Sequence, residues 1–139
     1  MKNILLAGIL FLFATVGNSL SAQSSQGQKN NYVVTTTRIQ QLKPIFMAAE
    51  SLAAEDGDSF GEFQVLICGK AVEDLACSDT MTPYLKMAEK TGARIIACEY
   101  SLKQMGIETS RLAKGVESVE NAITENLQLQ KEGYISLEL

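Results

Sequence analysis

Three cysteines and no histidine set the chemical vocabulary of this chain. A cysteine does chemistry as its thiolate: it can attack a disulfide or polysulfide, carry sulfur, or exchange with a second thiol. Cys98 is the best placed for this. It closes the apolar run Ala93-Arg94-Ile95-Ile96-Ala97 and stands before a segment that can open a helix, so its sulfur is expected beside unpaired backbone N–H groups at a positive dipole end. In Cys98-Glu99-Tyr100-Ser101 the hydroxyl of Ser101 falls three residues on, a Cys-x-x-Ser arrangement in which it can donate to the sulfur. Lys103 adds positive charge nearby, whereas Glu99 works against the thiolate. Cys98 and Ser101 are therefore the candidate catalytic residues.

The other two thiols have weaker claims. Cys77 lies in a polar stretch, Glu73 to Asp79, where it could resolve an intermediate on Cys98, but its acidic neighbours are expected to raise its pKa. Cys68 ends the run Phe63-Gln64-Val65-Leu66-Ile67 and is most simply a core residue, although its strand is expected to neighbour that of Cys98. A disulfide between them would need compatible side-chain directions. No two cysteines form a CxxC pair, and an odd number leaves at least one thiol unpaired within the chain.

Composition removes several alternatives. Without histidine there is no Ser-His-Asp or Cys-His nucleophile, and none of the imidazole ligands common in transition-metal sites. The carboxylates are scattered, with no pair suited to acid–base work. No Gly-rich phosphate loop, heptad pattern or internal repeat is visible, and neither cofactor nor metal is expected. A formal charge of −4 disfavours nucleic acid and anionic membranes as partners. At 139 residues, 46% hydrophobic and 20% charged, the chain is expected to form one globular domain.

The elements that must position Cys98 follow from periodicity. Residues 1–22 resemble a signal peptide: Lys2, an apolar run from Ile4 to Val16 that is shorter than the roughly 18 residues of a membrane span, then Ser21-Ala22-Gln23 as the cleavage region. The mature protein is expected to be periplasmic or secreted, without a membrane span. Residues 23–31 are polar and predict a flexible leader, and residues 32–139 the domain. Strands are predicted at Tyr32–Thr37, Phe63–Cys68, Ala93–Cys98, Gly115–Ser118 and Tyr134–Leu137. Between them lie a helix from near Gln41 to Glu55, with Pro44 in its first turn and Ile39, Leu42, Phe46, Ala49 and Ala53 along its stripe, and a helix capped by Thr82-Pro83 that closes at Gly92. A short helix at Ser101–Met105 and a last one marked by Val119, Ala122, Ile123 and Leu127 follow. Alternation of this kind implies parallel strands joined by right-handed crossovers: an α/β protein, a three-layer α/β/α sandwich around a five-stranded parallel sheet. Chemistry in such sheets gathers at the carboxyl ends of strands, where Cys68 and Cys98 both fall.

The segment Ile95-Ile96-Ala97-Cys98-Glu99-Tyr100-Ser101-Leu102-Lys103-Gln104-Met105-Gly106-Ile107 resembles the DsrE/DsrF-like family, whose members carry an apolar strand, a cysteine, a Ser-Leu-Lys stretch and a Gly-Ile ending in this place. Leu127 to Ile135 is similar to the closing helix, turn and strand of that family, and Gly115-Val116-Glu117 precedes it. The resemblance covers about Tyr32 to Leu139 and is strongest after Phe63. It implies a small α/β/α subunit that assembles into homo-oligomers and, by analogy with relay members of the family, a sulfurtransferase-like carrier holding sulfane sulfur as a persulfide on Cys98, with a sulfur donor or acceptor protein as partner. Relay proteins of the cytoplasm work in hetero-oligomers, whereas this chain carries an export signal. Two other classes stay open on the residues alone: a non-catalytic module binding a small molecule or protein at the same strand ends, and a thiol–disulfide exchange protein pairing Cys98 with Cys77 or Cys68. A chain of this size buries only about two-thirds of its unfolded surface, which also favours self-association. Met87 and Leu129 are expected to face outward as contacts.

Overall fold

A run of β-branched residues cannot hold its backbone groups without neighbours, and the first strand finds one on each side. In the computed structural model, which describes residues 27–139, β1 (Asn30–Thr36) pairs in parallel with β2 (Phe60–Ile67) and with β5 (Ile135–Glu138). β3 (Arg94–Cys98) and β4 (Val116–Val119) extend the sheet beyond β2, giving the order β4-β3-β2-β1-β5. The helices are α1 (Leu42–Asp56), α2 (Ser78–Thr91), α3 (Glu99–Gln104) and α4 (Ala122–Lys131). The expected five-stranded α/β architecture is present. The proposed signal peptide, residues 1–22, lies outside the described residues, as do residues 23–26 of the leader.

Handedness decides which helix covers which face. From β1 to β4 the chain steps in one direction across the sheet, so right-handed crossovers put α1 and α2 on one face. The step from β4 to β5 reverses direction and carries the chain back past β3, β2 and β1, which places α4 on the other face. The first face packs Val34, Phe63, Val65, Ile67 and Ile95 of the sheet against Leu42 and Phe46 of α1 and Met81 of α2. The second is smaller: Val33, Leu66, Ile96 and Cys98 lie under Ala122 and Leu129. Burying each Leu, Ile or Phe contributes about 1.5–3 kcal/mol, so the first face carries most of the hydrophobic stabilisation.

Several boundaries differ from the sequence reading, each for a local reason. The last two residues of the expected leader belong to β1, where the Asn31 side chain accepts the Glu62 N–H at 2.8 Å and β2 begins three residues early. The stretch after Cys68 is not a polar loop: Gly69–Ala76 winds into 3-10 turns that bury Ala71, Val72 and Leu75. The chain therefore reaches α2 early, at Ser78, with Cys77 as its N-cap. Thr82 is not the cap; it lies one turn inside and its hydroxyl donates to the Ser78 carbonyl at 2.7 Å, while Pro83 forgoes a single helical hydrogen bond. α3 likewise opens at Glu99, two residues before the expected start.

The phase of α4 is the largest correction. Ala122, Asn126 and Leu129 face the sheet, whereas Ile123 and Leu127 are 68% and 54% exposed. Leu129, expected outside, is buried, and Met87 is half-buried against the first core. The cause is polar sheet residues beneath the helix. Asn126 donates to Thr35 Oγ1 at 2.7 Å and accepts from Ser136 Oγ at 3.0 Å and from Gln130 Nε2 at 2.5 Å, so an amide is required where a hydrophobe would strand both hydroxyls.

Asn126→Ala is expected to lower stability by about 1–3 kcal/mol, and Ile123→Ser in the same helix to change it by no more than about 0.5 kcal/mol. Urea denaturation of the two variants checks this, and the opposite ranking would refute the helix phase.

Candidate functional site

Cys98 is the last residue of β3 and the N-cap of α3, with extended backbone (φ −79°, ψ 112°). It is also packed against the first residue of α4, whose Ala122 N–H donates to Cys98 Sγ at 3.5 Å. One sulfur thus stands at the start of two helices. The N–H groups at the start of α3 lie near enough to favour its charge without closing a cap hydrogen bond to it; that of Tyr100 donates to the Glu120 carbonyl at 3.1 Å, which ties the beginning of α3 to the turn before α4. Asn121 caps α4 by accepting the Ile123 and Thr124 N–H groups, leaving the N–H of Ala122 for the sulfur.

Ser101 lies buried in the first turn of α3, as the Cys-x-x-Ser spacing requires. Its hydroxyl oxygen accepts the Gly69 N–H at 2.9 Å, so its single proton is free to point at Cys98. Gly69 has φ +60°, a left-handed conformation that glycine adopts at little cost, and the turn it makes aims its N–H across from the end of β2.

Cys98 is only 4% exposed. That burial pushes its thiol up, but the Ala122 N–H, then the Ser101 hydroxyl, and the Ser101 and Tyr100 N–H groups together outweigh it and hold the thiol below its ordinary value. Glu99, expected to oppose the thiolate, turns its carboxylate to the Ser118 hydroxyl at 2.7 Å. Ser118 pairs with Ala97 in the sheet, one residue out of phase with Cys98, and so belongs to the opposite face. Lys103 is exposed, in a surface cleft with Leu102, Ile107 and Glu108.

The three thiols fall into two places. Because Ile67 is the register partner of Ala97, the next residue, Cys68, stands beside Cys98. It continues the line of β2 (φ −123°, ψ 174°), donates its N–H to the Thr36 carbonyl at 3.0 Å, and packs half-buried on the same small cluster. Burial pushes the Cys68 thiol up to about 12, and the charge and hydrogen bonding of Cys98 add to this. Cys77, by contrast, is exposed at the start of α2, in the layer across the sheet. Its pKa is lowered, not raised as its acidic neighbours suggested, because the Thr80 hydroxyl and N–H and the Asp79 N–H outweigh the Asp79 charge. All three thiols are free.

Sequence reasoning missed the Ala122 N–H and the Gly69 N–H; the Asn121 cap after a strand was the available signal for the first. It also missed an apolar cavity of about 370 Å³ between α1 and the β1–β5 edge, lined by Tyr32, Pro44, Ile45, Leu52, Phe63 and Leu137 among others. It contains none of the cysteines. Among the described residues no group of three His, Cys, Asp or Glu side chains is placed to hold a metal, and no helix is long and apolar enough to cross a membrane.

The DsrE/DsrF-like family model matches residues 32–138. A comparison with curated proteins finds no match. Among solved structures, the protein of unknown function MTH1491 from Methanobacterium thermoautotrophicum is similar in fold, with a TM-score of 0.66 at 19% identity over 79% of this chain and 100% of that one.

Ser101→Ala is expected to move the Cys98 titration upward, since it removes a donor that favours the thiolate. The difference in ultraviolet thiolate absorbance between each protein and its Cys98→Ser counterpart reads this; an unchanged midpoint would show that the hydroxyl does not act on the sulfur. Linkage gives the matching sign. A depressed thiol pKa contributes stability that is present above the unfolded value and is lost as pH falls through the folded one, so between those values Cys98 makes stability rise with pH.

Proposed function

The chain belongs to the DsrE/DsrF-like family, and from that premise we propose that it is an exported sulfur carrier whose Cys98 thiolate takes up sulfane sulfur as a persulfide. The observation that carries this reading is a buried thiol held low by convergent N–H groups and a serine hydroxyl, with no imidazole involved. Such a thiolate attacks a sulfur of a polysulfide or of a donor persulfide. A Cys98 Sγ–S bond forms, the donor's S–S bond breaks, and the remainder leaves with the electron pair as sulfide, thiolate or shorter polysulfide. Ser101 and the Ala122 N–H favour the charge on Sγ before uptake; in the loaded form that charge has moved to the outer sulfur, one S–S bond farther on.

Export rests on the signal-like residues 1–22, and the counterpart is a donor or acceptor protein. Self-association is part of the same reading: every residue of β5 is exposed, with Ile135 and Leu137 on one face of that edge, and Ile123 and Leu127 protrude from α4. Exposed apolar clusters at an unpaired strand edge favour a second copy. Light scattering is expected to give a mass above one subunit at micromolar concentration; a concentration-independent monomer would overturn this part.

A second reading, a module binding a small apolar molecule, is favoured by the cavity between α1 and the β1–β5 edge. It would take its ligand away from the strand ends and leave Cys98 inert.

Intact mass spectrometry after exposure to polysulfide separates the two. The carrier gains sulfur that Cys98→Ser loses almost completely. Equal uptake by the two proteins would remove Cys98 from the mechanism.

A further inference from the structure

Cys68 directly follows the last residue of β2 and Cys98 ends β3, at the point where the β2–β3 register, continued by one residue, would pair them. Parallel neighbours lie about 4.8 Å apart, within the Cα separation of about 4.4–6.8 Å that a disulfide spans. Both side chains belong to the small core cluster on the α4 face, so their directions agree as well as their spacing. The condition that sequence left open is thereby met. The segment after Cys68 is held from both sides, by the Cys68 N–H on Thr36 and the Gly69 N–H on Ser101, so the two neighbouring thiols share one cluster on a fixed frame.

Resting on the carrier reading, we propose that Cys68 is the resolving thiol of the site: it discharges the sulfur held on Cys98 as hydrosulfide and leaves a Cys68–Cys98 disulfide. The Cys68 sulfur attacks Cys98 Sγ, the bond between Sγ and the outer sulfur breaks, and the outer sulfur leaves with that electron pair. The outer sulfur takes the proton that Cys68 gives up and departs as HS⁻. Cys68 is oxidised and the outer sulfur reduced, so no outside oxidant enters; reopening the disulfide consumes a dithiol reductant.

Two features of the pair suit this sequence. A thiol that keeps its proton beside a buried anion supplies the proton without which the leaving sulfur would depart as the far less stable S²⁻. In the return step Cys68 is the more exposed sulfur, so a reductant attacks there and expels Cys98, the better leaving group of the two. Cys77, across the sheet, takes no part.

The test loads the full chain with polysulfide under anaerobic conditions, removes the excess, and follows trapped sulfide, intact mass and non-reducing peptide maps. Wild type is expected to release about one sulfide for each sulfur carried, to fall from one sulfur above the thiol mass to two hydrogens below it, and to yield a peptide joining Cys68 to Cys98. Cys68→Ser and Cys68→Ala are expected to keep the added sulfur and release sulfide at least about tenfold more slowly. Wild type that loads on Cys98 but retains its sulfur without forming the link would overturn the resolving role and leave the carrier reading intact, as would a link to Cys77. Equal loading of Cys98→Ser would instead overturn the carrier reading. The wild-type peptide map decides the matter even if a Cys68 variant fails to fold.

Discussion

A thiol at 4% exposure can ionise only where the charge is met by fixed donors, and the Ala122 N–H on Cys98 Sγ is the contact on which the rest of this site depends. It exists because the chain reverses direction between β4 and β5. Had the last strand been added beyond β4, a right-handed crossover would have put α4 on the face already covered by α1 and α2, and no helix would begin over the end of β3 on the Cys98 side. The donor is therefore a property of topology. Its strength comes from being pre-aimed: backbone groups held by a helix do not have to turn when the thiol ionises, so little of their electrostatic benefit is lost to reorganisation.

The polar links around the sulfur hold that arrangement in register. Tyr100 N–H on the Glu120 carbonyl fixes α3 against the turn before α4, and Gly69 N–H on Ser101 fixes the end of β2 against α3. The second link also sets a direction. The Gly69 N–H takes one acceptor site of the Ser101 hydroxyl and leaves its proton to donate, which is the role an anionic sulfur needs. Glu99 adjoins the thiolate in sequence, yet Ser118 draws its carboxylate to the opposite face, so the charge that looked adverse in the linear chain does little harm in the folded one.

Much of this was legible in the sequence, and what was not has identifiable causes. Alternating apolar runs and helical stripes specify five strands and the helices between them, and the position of Cys98 at a strand end before a helix is a local fact. Local signals also misled. Thr82-Pro83 reads as a cap, but burial of Ala71, Val72 and Leu75 in 3-10 turns brings the chain to α2 a turn earlier. Ile123 and Leu127 read as a core stripe, but Thr35 and Ser136, distant in sequence, need the amide of Asn126 and rotate α4 accordingly. Acidic neighbours of Cys77 read as a raised pKa, but a helix start supplies N–H groups and a threonine hydroxyl that outweigh them. In each case a contact made through folding overrode a rule about adjacent residues.

The same contrast separates the three cysteines, which composition alone treats as equivalent. Cys77 has the lowered pKa of a reactive thiol but lies exposed in the layer across the sheet, away from the Cys68 and Cys98 pair. Cys68 has a neighbour but keeps its proton, because burial penalises its charge and the adjacent sulfur is the one whose ionised form the donors favour. Two like charges at that spacing in a poorly solvated cluster would repel, so the site can ionise one of the pair readily and the other only at high pH. Convergent N–H groups decide which one. The asymmetry follows from where α4 begins: a helix start moved toward β2 would give the anion to Cys68, and Cys98 would become the ordinary core cysteine that its strand implies.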